Sequence, residues 1–309
     1  MSDEAIVVGG GIIGLTTAVV LAESGREVRV WSRDPIGGTT SAVAGALWWP
    51  YRIEPATQVG EWALTSLRVY EELAAEPQTT GVRLVEGLHA GIRLSELGPW
   101  AAEVDGLRQS AHGVHVRVPL IDMPTHLEWL RARLEATGTT VELRAIDRLP
   151  DAPLVVNCTG LGARGLVPDP RVRPVRGQLV IVENPGINEW YTAVDDSDAG
   201  TYFFPQPYGL LLGGTVQDDA WDLAPDPRTA EEIVARCARV RPEIGGARVL
   251  AHRTGLRPVR DGGVRIEAEA TRSGGVLVHN YGHGGAGVTV AWGCAREAAA
   301  LAASRTPLH

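Results

Sequence analysis

The sequence contains no lysine. Its 29 basic residues are all arginine, they face 37 acidic ones, and the formal net charge is -8. An acidic chain without a basic block is a poor ligand for nucleic acid, so no such partner is expected. Cysteine is scarce: Cys158, Cys237 and Cys294 stand far apart. None has metal-site spacing, and no metal is expected. Buried free thiols are the expectation. A disulfide between two of them is the alternative, which spacing does not decide. No apolar stretch approaches the roughly 20 residues that a membrane span needs. The run Ala5 to Val8 is too short for a leader's hydrophobic region, and the end Thr306-Pro307-Leu308-His309 is not a peroxisomal tripeptide. A cytoplasmic protein with no membrane partner is expected. Internal repeats and low-complexity linkers are also missing.

What is present is ordinary globular material. The 309 residues are 44% hydrophobic and 21% charged, enough for one large domain or two moderate ones. The first unit reads strand, turn, helix, strand. Ala5-Ile6-Val7-Val8 is an apolar run of the kind a buried parallel strand carries. Ile13, Thr16, Thr17, Val20 and Leu21 recur at helical spacing, Gly25 closes that helix, and Val28 to Trp31 alternates as a second strand. Further helices are predicted over 61–76, 123–137, 229–240 and 289–303, and further strands over 139–143, 154–160 and 276–280. The intervals 81–118 and 176–214 alternate and break at Gly and Pro, which favours antiparallel strands. The fold class expected is α/β. A Rossmann-type nucleotide-binding domain (1–75, 123–170 and 256–309) is interleaved with an antiparallel-sheet substrate domain (76–122 and 171–255).

The turn Gly9-Gly10-Gly11-Ile12-Ile13-Gly14 lies between the first strand and the first helix. Gly9 permits a sharp turn, Gly11 leaves room for a pyrophosphate, and Gly14 lets helix and strand pack closely. The helix N-terminus then offers unpaired N–H groups to the phosphates. The second strand ends Trp31-Ser32-Arg33-Asp34. Asp34 suits a ribose. Arg33 suits either the adenine end or a 2′-phosphate, so this loop leaves FAD and NADP both open.

Other stretches resemble the D-amino-acid oxidase family. Thr39-Thr40-Ser41-Ala42-Val43-Ala44-Gly45-Ala46-Leu47-Trp48-Trp49-Pro50-Tyr51 is similar to its flavin-contacting segment, as are Val156 to Gly160 and Arg176-Gly177-Gln178. Arg253 to Arg260 resembles its substrate-carboxylate segment, and His279 to Thr289 its closing flavin loop. The blocks keep the family's order over nearly the whole chain. The resemblance implies non-covalently bound FAD, a small-molecule D-amino acid and O2 as partners, and hydride transfer to flavin N5. The products implied are 2-oxo acid, ammonia and H2O2. A homodimer is left open.

Residue by residue, the resemblance implies Arg257 for the substrate carboxylate, Tyr202 as a second donor to it, and the Gly285 carbonyl for the amine. It implies flavin contacts for Thr39, Thr40, Ser41, Leu47, Trp48, Trp49, Gly284, Gly285, Ala286, Gly287, Val288 and Thr289. Ile146, Thr159 and Gly160 fall near the adenosine part. Arg253 and Arg260 read as structural, as does His283; His279 is a weaker base candidate. The chain departs from the family at Trp49, where many relatives carry Gln. It also lacks a clear second active-site Tyr: Val216, Gln206, Tyr208 and Tyr191 are the nearby options. Asp195 to Gly200 is too short for the lid of some relatives. Trp49, Phe203, Phe204 and Val216 argue for neutral, apolar substrates. Glycine or sarcosine oxidase, D-aspartate oxidase and, more remotely, a quinone-linked dehydrogenase are the alternatives.

Overall fold

The computed structural model describes residues 4–50, 53–193 and 200–305. Tyr51, residues 195–199 of the segment read as too short for a lid, and the terminal Thr306 to His309 lie outside them. In chain order the first half runs β1 (Glu4–Val8), α1 (Ile12–Glu23), β2 (Glu27–Ser32), α2 (Ala56–Leu73), α3 (Pro77–Thr80), β3 (Val82–Ala90), β4 (Arg108–Ser110), β5 (Gly113–Ile121), α4 (Met123–Glu135), β6 (Val141–Leu143) and β7 (Leu154–Asn157). The second half runs α5 (Ala163–Leu166), β8 (Val172–Val182), β9 (Trp190–Ala193), β10 (Thr201–Gln206), β11 (Gly209–Gly213), β12 (Gln217–Asp218), α6 (Pro227–Val240), β13 (Val249–Arg260), β14 (Arg265–Ala270), β15 (Val276–Tyr281) and α7 (Gly287–Arg305).

These strands form two sheets. The first has the order β14-β15-β7-β1-β2-β6 and is parallel except for the β14–β15 hairpin. β1 sits near its centre and is apolar from Ala5 to Val8 because both faces are covered. Helix α1 packs beside α7, and α2 packs on α7. The second sheet has the order β12-β8-β11-β10-β9-β3-β5-β4, with β13 along the other side of β8. Its pairs are antiparallel apart from β3 with β9. Helix α6 closes one face of it over Val180, Phe203 and Leu212. The α/β class with a parallel sheet and a mostly antiparallel second sheet is as the sequence implies.

Several boundaries move. Helix α2 starts at Ala56, directly after Pro55, rather than at residue 61. Helix α7 starts at Gly287, two residues before Thr289. The division expected at residue 256 falls inside β13, which pairs with β8 in one register from Ala251 to Arg260. All three cysteines are free and buried, so the disulfide alternative does not hold. Burial pushes the Cys158 and Cys237 thiols up to about 12, which makes them poor nucleophiles. Among the described residues no helix is long and apolar enough to cross a membrane.

A buried ion pair fixes the end of β13. Arg260 Nε donates to Asp169 Oδ2 at 2.8 Å, with side chains only 7% and 3% exposed. The Tyr281 hydroxyl of β15 donates to the same oxygen at 2.9 Å, and Arg171 Nε donates to Oδ1 at 3.1 Å. Burial alone would raise the Asp169 pKa, but the donors Arg260, Arg171 and Tyr281 outweigh it and hold the carboxyl well below the usual carboxylate range. A depressed folded pKa gives stability that is complete above the unfolded value of about 4 and fades as pH falls below it. Asp169→Asn should therefore destabilise the protein at pH 7 by about 3–5 kcal/mol, because it strands the buried Arg260 charge. The melting-temperature gap to wild type should narrow as pH drops below about 4. A gap independent of pH would show that the carboxylate charge is not the cause.

Candidate active site

A cavity of about 1210 Å³ runs between the two sheets. On the side of the first sheet it is lined by Trp31, Arg33 and Asp34, and on the side of the second by Tyr202 and Arg257. The turn after β1 lines it as well. Gly9 has φ +127°, a conformation that favours glycine, and its N–H donates to Trp31 O at 2.8 Å. A Cβ on Gly14 would overlap the Gly9 carbonyl, so this residue serves the tight strand–helix junction and does not itself border the cavity. Gly9, Gly10, Gly11, Ile12 and Ile13 do border it. Gly11 caps α1. The Ile12 N–H donates to Ser41 Oγ at 2.9 Å, which ties the 39–45 segment to the helix start.

Beside β2, Arg33 and Asp34 pair with each other at 2.7 Å on the surface. Arg144, which carries no sequence signal, lies over the Trp31 ring with its guanidinium carbon 3.8 Å from the centroid. Ile146 is partly buried in the loop after β6 and borders the cavity, as do Thr159 and Gly160. Thr159 is held by Asn157 Oδ1, which accepts from its hydroxyl at 2.7 Å and from its N–H at 3.2 Å.

The 39–49 segment borders the cavity through Thr39, Thr40, Ser41, Leu47 and Trp49. Trp48 does not. Alternation turns it away, fully buried, with its indole N–H donating to Ala63 O at 3.0 Å. The Thr289 hydroxyl is already engaged, donating to Trp49 O at 3.1 Å. What α7 leaves for a ligand is its N-terminal backbone, since the first N–H groups of a helix have no partner inside it.

The Arg257 side is assembled from β13, β10 and the loop before α7. Arg257 Nη1 donates to Thr215 O at 2.9 Å, and the side chain also meets the Tyr202 hydroxyl. Among the described residues no carboxylate pairs with Arg257. Gly177 on β8 makes room for it: a Cβ there would lie 2.6 Å from the guanidinium carbon. Burial raises the Tyr202 pKa, so the phenol stays an O–H donor. The Gly284 N–H donates to Pro258 O at 2.9 Å, and His283 bridges to Val259, which zips the loop onto β13. A Cβ on Gly285 would lie 3.2 Å from Arg257 Cδ. Gly284, Gly285, Ala286, Gly287, Val288 and Thr289 all border the cavity.

The structure also separates residues that the sequence left together. Arg260 is in the buried pair with Asp169, and Arg253 stacks on Tyr208 at 4.8 Å. His279 lies behind the site with Asn157 and Glu269. Of the options for a second active-site residue, only Val216 borders the cavity. Tyr191 stacks on Phe203 at 5.1 Å on the opposite face of the sheet, Tyr208 lies under Arg253, and Gln206 donates to Gly45 O and Ile121 O. Phe203 therefore does not wall the cavity, whereas Phe204, stacked on Tyr202 at 4.9 Å, does. His89 and Thr192 border the cavity and were not anticipated.

Comparison with known proteins decides the family. Residues 4–301 match the family described as DAO, FAD dependent oxidoreductase. The chain belongs to this family. It is 63% identical over 309 residues to a D-amino-acid oxidase of Streptomyces coelicolor, covering 97% of this chain and 96% of that protein. It is 45% identical to a D-amino-acid oxidase of Rubrobacter xylanophilus, covering 97% and 95%. The fold superposes on a glycine oxidase of Bacillus cereus with a TM-score of 0.77 at 19% identity, covering 100% and 99% of the two chains.

The residues of this DAO-family flavoprotein fit FAD. Two helix N-termini, of α1 and α7, open on one cavity, which is lined by Trp31, Arg33 and Asp34 as well as by Tyr202 and Arg257. Several buried polar atoms of residues along it have no partner among the described residues, including Trp31 Nε1, Asn280 Oδ1 and His283 Nε2. No group of side chains suited to a metal ion occurs among the described residues.

Proposed function

We propose that the chain is a cytoplasmic D-amino-acid oxidase that binds FAD non-covalently and deaminates neutral, chiefly apolar, D-amino acids. The observation that carries this reading is Arg257. It is a guanidinium without an acidic partner among the described residues, directed into a cavity beside the Gly284–Gly285 loop. Its planar fork matches an α-carboxylate with two parallel N–H···O bonds. The Tyr202 hydroxyl supplies a further donor. Gly285 brings backbone close enough for its carbonyl to accept from the substrate amine. Gly9 to Ile13, Ser41 and residues 284–289 would hold the cofactor. When bound, FAD supplies the acceptor for the substrate's α-hydride at N5 and passes the electron pair to O2, giving H2O2. The resulting imino acid is hydrolysed to 2-oxo acid and ammonia.

No general base is required of the protein. Burial takes His283 to about 3 and His89 to about 4, so both imidazoles are neutral at pH 7 and neither brings a charge to the site. The protein's share is orientation: fixing carboxylate and amine leaves the α-hydrogen a single direction. Trp49, Phe204 and Val216 make the side-chain walls apolar and exclude water.

A peroxide assay in air tests the reading. Turnover with D-Val, D-Leu or D-Phe should exceed that with D-Asp, glycine or sarcosine, and L-amino acids should be inert. Acid precipitation should release the flavin into the supernatant. Faster turnover of D-Asp or glycine would replace the substrate assignment, and oxidation without peroxide would indicate a dehydrogenase.

A further inference from the structure

His89 is on β3, and its register across the second sheet places it opposite Thr192 on β9. Thr192 in turn is opposite Tyr202 on β10. Residues paired in register project from the same face of a sheet. His89, Thr192 and Tyr202 therefore form one row, and all three border the cavity. Arg257 stands at the Tyr202 end of the row. His89 stands at the other end, two strand spacings or about 10 Å away. It is 5% exposed and leans on Trp49 with ring centroids 5.2 Å apart. Its Nδ1 is buried and has no hydrogen-bond partner among the described residues. An unmet buried polar atom is costly, and native folds keep few of them.

We propose that His89 is a specificity-determining residue that bonds the end of the substrate's side chain and favours a neutral hydrogen-bonding terminus, such as a carboxamide, over an apolar group of the same shape. This rests on the D-amino-acid reading of the site. With the carboxylate at Arg257 and Tyr202, a side chain follows the row past Thr192. One with roughly three or more non-hydrogen atoms beyond Cα comes within reach of the imidazole. A methyl side chain does not. Burial keeps the imidazole neutral, so its unpartnered Nδ1 is a donor or an acceptor according to the tautomer; a carboxamide carries both and can meet either, and the ring offers no charge for a carboxylate. Apolar walls and a polar end thus belong to one pocket.

The test uses the FAD-loaded enzyme and three substrates: D-glutamine, its apolar isostere D-homoleucine, and D-alanine. In His89→Leu the ratio of kcat/KM for D-glutamine to that for D-homoleucine should fall by about tenfold, the worth of one neutral hydrogen bond. D-Alanine should change by less than about twofold, and His89→Gln should restore most of the ratio. A readout independent of turnover is the melting temperature with the amine-free carboxylates glutaramate and 5-methylhexanoate. Glutaramate should stabilise wild type more, and the order should reverse in His89→Leu. An unchanged ratio, or an equal loss for D-alanine, would overturn the role of His89 while leaving the oxidase reading intact. No peroxide from any D-amino acid would overturn both.

Discussion

Arg257→Ala should leave a yellow, folded protein that has lost its grip on substrate. We expect kcat/KM to fall roughly 10²- to 10³-fold, mostly through KM, because a desolvated carboxylate loses its charge-assisted partner. The structure explains why the fold should survive. Among the described residues Arg257 is held by the carbonyls of Thr215 and Arg176 and by the Tyr202 hydroxyl and by no carboxylate, so its removal strands no buried charge there. Arg257→Lys should recover little, since an ammonium cannot reproduce the two parallel bonds of the fork. Steady-state kinetics together with flavin absorbance separate the two effects. An unaltered KM would remove Arg257 from the substrate site.

Gly11→Val should give the opposite result, a folded protein that no longer retains flavin. A Cβ at Gly11 would lie 2.9 Å from Ser41 Oγ, the same atom that caps the Ile12 N–H at 2.9 Å. The branched side chain would disturb that cap and occupy the approach to the helix N-terminus. The purified variant should be colourless, and its melting temperature should drop by the stabilisation that a tightly bound ligand confers. Gly37→Ala is the matched control, because a Cβ at Gly37 meets nothing within 4 Å. Normal flavin occupancy in Gly11→Val would place the phosphates elsewhere.

The parts of the molecule that could be read from sequence are those where local chemistry dictates structure. The apolar run of β1, the glycine turn and the helical spacing of α1 carry their own signals, and the same holds for β7 and α4. Arg257 and the 284–289 loop were found through resemblance, and the structure brings them together. What could not be read is which face of a strand meets the cavity. In β3 the apolar Leu84 and Leu88 are only partly buried, whereas Val82, Val85, Gly87 and His89 are buried, with Trp190 packed against Gly87. Nothing in the local pattern marks His89 as a cavity residue. The same period of two sends Phe203 to α6 and Phe204 to the cavity, and turns Trp48 away from its neighbours Leu47 and Trp49. Arg144 gave no signal because its role is defined only by the Trp31 ring beneath it.

The zipper between Pro258, Val259 and the His283–Gly284 loop has an evolutionary consequence. It couples the strand that carries Arg257, the proposed carboxylate anchor, to the 283–285 loop through a few neighbouring backbone atoms. The cavity walls proposed to meet the rest of the substrate, Trp49, His89, Thr192 and Val216, come from other segments. Mutational drift in those walls can therefore change diet without resetting the reaction coordinate. A lineage built on this frame can diversify its substrates one wall residue at a time while turnover chemistry stays constant.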